Sequence, residues 1–197
     1  MDFIVIMGPQ AVGKMTVGRE VEKRLDAKLL FNHQTIDLFA HFLGYTKETF
    51  RLSDQTRKEL FRAFVNGEEN TANGIIFTLV VAFDLLSDKE YLKKICTIFT
   101  EKGGRVFLVE LETSLEIRLE RNGSESRLEA KPSKRNLAFS KQELLTSSEK
   151  HRLNSSPGEV NEFIPEAHYL RIDNSNRTAG QVAEEITAFI QQTEVEL

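Results

Sequence analysis

The stretch "GPQAVGKMT", residues 8–16, follows an apolar run, "FIVIM" (3–7), and precedes a segment in which Val17, Val21 and Leu25 fall four apart on one helical face. A glycine-bearing turn between a strand and an amphipathic helix leaves few folds open. Gly8 and Gly13 let the backbone curl so that successive N–H groups point inward at phosphate oxygens. The helix that opens at Lys14 presents its positive end to the same point, and Lys14 adds a full charge for the β- and γ-phosphates of a nucleotide. Gly8, Pro9, Gln10, Ala11, Val12, Gly13, Lys14, Met15 and Thr16 are therefore the expected nucleotide-binding residues. One position misfits. The common pattern has Ser or Thr straight after the lysine; this chain has Met15, and the hydroxyl comes one place later at Thr16.

Strand-like and helix-like runs alternate after this loop. The strands are "FIVIM" (3–7), "KLLF" (28–31), "GIIFTLVV" (74–81), "RVFLVEL" (105–111) and "HYLRI" (168–172). The third has no polar alternation and reads as buried on both faces. Ile36, Phe39 and Leu43 mark a second helix. Leu60, Phe61, Phe64 and Val65 mark a third, after Ser53-Asp54. Capping boxes are read at Ser87–90, Thr113–116, Ser140–143 and Thr178–181. Five strands alternating with helices give an α/β fold, a five-stranded parallel sheet with helices on both faces. Ligands of such sheets bind at the carboxyl ends of the strands, so the loops after Met7, Phe31, Val81, Leu111 and Ile172 are expected to converge on one site.

The chain has 197 residues and a net charge of −4. The length suits one domain, 1–197, and the charge argues against nucleic acid as a partner. No apolar run is long enough to span a membrane. Residues 1–7 read as a strand carrying Asp2 rather than as a secretory leader. The single cysteine, Cys96, reads as a small buried residue, and a cytoplasmic protein is expected. From Arg118 to Arg152 there are nine lysines and arginines against five acids. A basic segment in an acidic chain suggests a small anionic ligand, a solvated helical surface being the plainer alternative. Zinc chemistry lacks its ligand spacing, and neither a Gly-x-Ser-x-Gly elbow nor a Gly-x-Gly-x-x-Gly fingerprint occurs.

"GPQAVGKMT" resembles the phosphate loop of P-loop kinases of the nucleoside monophosphate kinase and shikimate kinase group. Many of these have a non-hydroxyl residue straight after the lysine and then a threonine, which accommodates Met15 and Thr16. The resemblance implies a P-loop NTPase fold with a basic lid inserted at about 122–136, ATP and Mg²⁺ as cofactors, and a small-molecule acceptor. Met15 cannot bind Mg²⁺, which prefers hard oxygen ligands. Thr16 and Asp84 are the metal candidates, with Glu110 behind them.

The same resemblance implies roles elsewhere. Arg121 would pack near the nucleotide, and Arg127 would reach its phosphates from the lid, where charge on the transferring group needs stabilising. In "FNHQTID" (31–37) Asp37 is the candidate base, His33 the alternative base or a substrate ligand, and Asn32 a polar substrate contact. Arg57 is the candidate for holding an anionic acceptor. Asn174 and Arg177, after the last strand, would face the adenine, although helix capping explains much of that loop. The expected activity is transfer of the ATP γ-phosphate to a hydroxyl or phosphate acceptor, by a monomer or homodimer. The alternatives are a nucleoside monophosphate kinase in the narrow sense, or a nucleotide-binding regulator or weak ATPase with no acceptor.

Overall fold

The computed structural model describes residues 1–124, 128 and 135–195. Arg127 and most of the expected lid lie outside the described residues. Five strands form one sheet: β1 Asp2–Met7, β2 Ala27–Phe31, β3 Gly74–Leu79, β4 Arg105–Glu112 and β5 His168–Asp173. All neighbouring pairs are parallel, in the order β2-β3-β1-β4-β5. The helices among the described residues are α1 Lys14–Glu22, α2 His33–Leu43, α3 Lys47–Asn66, α4 Leu86–Thr100, α5 Leu115–Asn122, α6 Leu137–Lys150, α7 Glu159–Phe163 and α8 Ala179–Val195. None is long and apolar enough to cross a membrane.

The central strand explains why both faces are covered. Its side chains alternate across the sheet. Phe3, Val5 and Met7 pack with Phe61 of α3 and with Leu92, Ile95 and Phe99 of α4. Ile4 and Ile6 pack on the other face with Val17 and Val21 of α1 and with Val182, Ile186 and Ile190 of α8. Phe3 and Phe99 stack with centroids 4.1 Å apart. Each such side chain taken out of water contributes about 1.5–3 kcal/mol. With β2 and β3 on one side of β1 and β4 and β5 on the other, the loop after β1 stands mid-way along the carboxyl edge.

Strand identities follow the sequence reading, with β3 ending at Leu79 rather than at residue 81. Helix starts depart from it more often. The Thr178 box forms: its Oγ1 accepts from Gln181 N at 3.2 Å, and Gln181 Oε1 accepts from Thr178 N at 2.9 Å. The Ser87 box does not. α4 begins at Leu86 without a side-chain cap, and Asp88 Oδ2 accepts instead from Ala82 N at 3.0 Å, drawing the preceding loop back onto the helix. At α5 the cap is Ser114, because Thr113 Oγ1 pairs with Ser175 Oγ at 2.8 Å. At α6 the cap is Asn136, and Ser140 lies buried inside the helix, donating to Asn122 Oδ1 at 3.0 Å. α3 starts at a Thr46 cap, so Ser53-Asp54 is helix interior; the Ser53 hydroxyl is buried against that of Thr35 at 2.6 Å.

Candidate active site

The loop after β1 has the curl that its glycines suggest. Gly8 sits at φ 138°, and a Cβ there would come 2.4 Å from the carbonyl oxygen of Leu111. Gly13, at φ 109°, is the residue from which α1 departs. Between them Ala11 also takes a left-handed conformation, φ 62°, at a cost of about 1–2 kcal/mol for a residue with a Cβ. Lys14 Nζ donates to the carbonyls of Gly8 at 2.6 Å and Pro9 at 2.7 Å, so the loop closes around its own cation. Met15 is buried and Thr16 is exposed, and both line the cleft above the loop. Of the two, only Thr16 carries an oxygen that a ligand could meet there. Gln10 lines the same cleft, and its Oε1 is buried without a hydrogen-bond partner.

Arg121 and Asn174 brace this loop from behind. Arg121 Nη1 donates to Val12 O at 3.1 Å and to Asn174 Oδ1 at 3.2 Å. Its Nη2 donates to the carbonyls of Asn174 at 2.9 Å and Ser175 at 3.2 Å. Asn174 Nδ2 donates to Val12 O at 2.7 Å. Both residues also line the cleft, but these polar groups are committed to the loop and to each other. Arg177 lines the cleft as well and pairs with Glu185 at 2.5 Å.

A single cleft of about 710 Å³ runs from this loop to the end of β2. On that side it is lined by Asn32 and His33, and by Thr78 at the end of β3. Asn32 N donates to Thr78 Oγ1 at 3.1 Å, and Asn32 Oδ1 accepts from Arg57 Nη1. Arg57 is 7% exposed, with its guanidinium carbon 5.7 Å from the Phe77 ring centre. It supports Asn32 and is not among the residues lining the cleft. Asp37 lies one turn beyond His33 on α2, with Oδ1 3.6 Å from His33 Nδ1 and accepting from the Tyr45 hydroxyl at 3.1 Å. His33 and Tyr45 line the cleft; Asp37 stands behind them.

Tyr45, Phe50, Phe139 and Glu143 are among the lining residues that the sequence reading did not assign to the site. A signal existed for the first two, aromatic residues flanking the Thr46 cap in an otherwise polar stretch. Phe139 stood in the basic segment, where only charges drew notice.

The carboxylates read as metal candidates are engaged elsewhere. Asp84 accepts from Arg152 N at 2.9 Å and pairs with His151 Nδ1 at 3.0 Å, and its carboxyl is held below the usual range chiefly by His151. It does not line the cleft. Glu110 is fully buried. It accepts from Asn154 Nδ2, Ser155 N, Ser155 Oγ and the Tyr169 hydroxyl at 2.6–2.9 Å, which satisfies both oxygens. Burial, first of all, pushes Tyr169 up to about 12. Among the described residues no cluster of three or more His, Cys, Asp or Glu could hold a metal. Thr16 is the metal candidate that faces the cleft.

No family model matches the chain, and no curated protein matches it in sequence. Solved structures do. A shikimate kinase from Acinetobacter baumannii in complex with shikimate is similar at TM-score 0.55 and 18% identity, over 98% of this chain and 93% of that one. A gluconokinase from Sinorhizobium meliloti 1021 is similar at TM-score 0.59 and 16% identity, over 98% and 93%. A sugar kinase from Janibacter sp. HTCC2649, without ligand, is similar at TM-score 0.56 and 15% identity, over 97% and 95%. The likeness is one of fold: the five-stranded parallel sheet with helices on both faces is shared with these solved kinases over nearly the full length of each chain.

Proposed function

We propose that the chain is an ATP-dependent small-molecule kinase that moves the γ-phosphate to a hydroxyl. The observation that carries this reading is the continuity of one cleft from Lys14 and Thr16 to Asn32 and His33. Its volume is that of a site for small ligands. The nucleotide phosphates would lie in the curl of residues 8–16, where Lys14 exchanges its loop carbonyls for phosphate oxygens. The acceptor would lie against Asn32 and His33. As the acceptor oxygen bonds the γ-phosphorus, the bond to the β–γ bridging oxygen breaks, ADP leaves, and the hydroxyl proton passes to the protein. His33, beside Asn32, is the proton acceptor we assign to the acceptor hydroxyl, and Asp37 behind it balances the charge that His33 gains. The sequence reading ranked these two the other way round.

Thr16, a hydroxyl on the cleft wall beside Lys14, would be the residue that holds a magnesium ion. When bound, Mg²⁺ neutralises phosphate charge. Arg127 is the residue we assign to the transferring group from the lid. A nucleoside monophosphate as acceptor is less well supported. Lys14, Arg121 and Arg177 belong to the nucleotide end, and Arg57 is buried behind Asn32 and does not line the cleft. Simple binding or weak hydrolysis without an acceptor is the remaining alternative. Incubation with γ-labelled ATP and a panel of alcohols, sugars, shikimate-like acids and nucleotides tests the proposal. Label on an acceptor is the expected result, and label appearing only as inorganic phosphate would leave an ATPase.

A further inference from the structure

We infer that Asp54 and Tyr91, neither of which lines the cleft, are positioning residues for the acceptor: through one buried water they hold Arg57, and Arg57 holds Asn32 with its amide hydrogens open to the cleft. What Asn32 meets there rests on the kinase reading. How Asn32 is held rests on the fold alone.

Asn32 is tethered at every polar atom but one. Its N donates to Thr78 Oγ1 at 3.1 Å, its O accepts from Thr35 Oγ1 at 3.3 Å, and its Oδ1 accepts from Arg57 Nη1. Thr35 is paired in turn with Ser53 of α3 at 2.6 Å, both of them buried. A guanidinium only donates, so the amide oxygen must face Arg57 and the NH2 group must face the other way. Asn32 lines the cleft, and among the described residues its Nδ2 has no partner and is not buried. Turning the amide over would set donor against donor. Arg57 thus decides that this wall offers hydrogens, which a ligand receives with an oxygen lone pair.

Arg57 itself is held by fewer bonds than a buried cation needs. It is 7% exposed, and its Nε is buried without a hydrogen-bond partner. So are Asp54 Oδ1, one turn before it on α3, and the Tyr91 hydroxyl on α4. The three are neighbours: burial, first of all, raises the Tyr91 hydroxyl above its ordinary value, and the charges of Arg57 and Asp54 both act on it. Lys58 joins them, with Nζ 2.6 Å from Asp54 Oδ2 and 5.1 Å from the centre of the Tyr91 ring. A donor, an acceptor and a hydroxyl, all unpartnered, are what one buried water satisfies. The water accepts from Arg57 Nε, donates to Asp54 Oδ1 and bonds the Tyr91 hydroxyl. Arg57 is then fixed at Nε as well as at Nη1.

The test uses the whole chain with Tyr91→Phe, which removes one oxygen and keeps the ring beside Lys58, and with Asp54→Ala as the second variant. An orphaned hydroxyl is a cost, so without the water Tyr91→Phe would raise the melting temperature. With the water a bond is lost, and a fall of about 2–4 °C is expected. In 15N NMR the side-chain NH2 signal of Asn32 is expected to move in both variants, while that of Asn174, on Val12 O, stays. Function is read with γ-labelled ATP against glycerol, gluconate, shikimate and AMP. For each that takes label, the acceptor KM is expected to rise about ten-fold in both variants, with kcat and the KM for ATP within about two-fold of the parent. A melting temperature that rises in Tyr91→Phe, an Asn32 signal that stays in either variant, or an unchanged acceptor KM overturns the inference. A moved Asn32 signal with label appearing only as inorganic phosphate upholds the hold on Asn32 and counts against the kinase reading instead.

Discussion

The loop after β1 and the loop after β2 both open on the cleft, but different parts of the chain hold them in shape. The first takes its curl from its own backbone, with two glycines and Ala11 at positive φ, carbonyls gathered around Lys14 and a helix that starts where the loop ends, and only its rear is braced by distant side chains, Arg121 and Asn174 on Val12 O. The second is shaped by side chains from distant positions: Arg57 on Asn32, Thr78 under Asn32 N, Tyr45 on Asp37. Backbone N–H groups suit any phosphate chain, whatever the rest of the molecule. Side chains select. The first loop therefore carries what the fold has in common, and the second carries what this chain does with it.

If that division is right, substitutions in the two loops should separate binding from transfer. The largest effect is expected at His33→Gln: transfer to the true acceptor falls by about 10²–10⁴-fold, the usual worth of a general base, while calorimetry shows ATP affinity near that of the parent. Asp37→Asn should lose less. A greater loss at Asp37 would exchange the two roles. Lys14→Ala acts on the other side of the division. It should weaken ATP by about 1.5–3 kcal/mol, roughly 10–150-fold, and equal ATP affinity in both proteins would remove the phosphate-loop assignment.

Arg121→Ala probes the brace rather than the ligand. It deletes the donors to Val12, Asn174 and Ser175. A drop of about 1–2 kcal/mol in unfolding free energy is expected, with about ten-fold weaker ATP binding. Denaturant titration with and without nucleotide separates the two.

The smallest effect lies outside both loops, at a pair that does not line the cleft. The Arg152 guanidinium, its main partner, holds Glu159 down to about 2. That value lies below the ordinary carboxyl range, so the pair's contribution is complete above about pH 4.5 and is lost as the pH falls towards 2. Solvent screening keeps it under about 1 kcal/mol. Glu159→Gln should flatten that part of the acid-stability curve and leave the neutral end almost unchanged.

The same contrast explains what could be read from the sequence. Glycine, lysine and threonine spacings state a backbone requirement, so the first loop and the five strands were legible without any knowledge of contacts. Ser87, Thr113 and Ser140 were misjudged as caps. At Thr113 and Ser140 the hydroxyls bond to partners 62 and 18 residues away, and at Ser87 a carboxylate one residue on reshapes the turn. Asp84 looked like a metal ligand by position, but the chain folds it against residues 151 and 152. The resemblance made Arg57 a candidate substrate ligand, and burial against Phe77 makes it a support for Asn32. Tyr45, Phe50 and Phe139 went unread because they come to line one cleft only once the sheet has gathered their segments.

The hydrogen bond from Asn174 to the carbonyl of Val12 spans 162 positions of the chain. A chain emerging from the ribosome makes residue 12 early and residue 174 near the end of the stretch described here, so a nascent chain short of β5 would lack the rear wall of the pocket we propose for the nucleotide. Nucleotide affinity would then be gained late in synthesis. A ligand that binds the finished pocket and not the unfinished one would draw the two distant segments together by mass action, making occupancy of the pocket a sign that folding is complete.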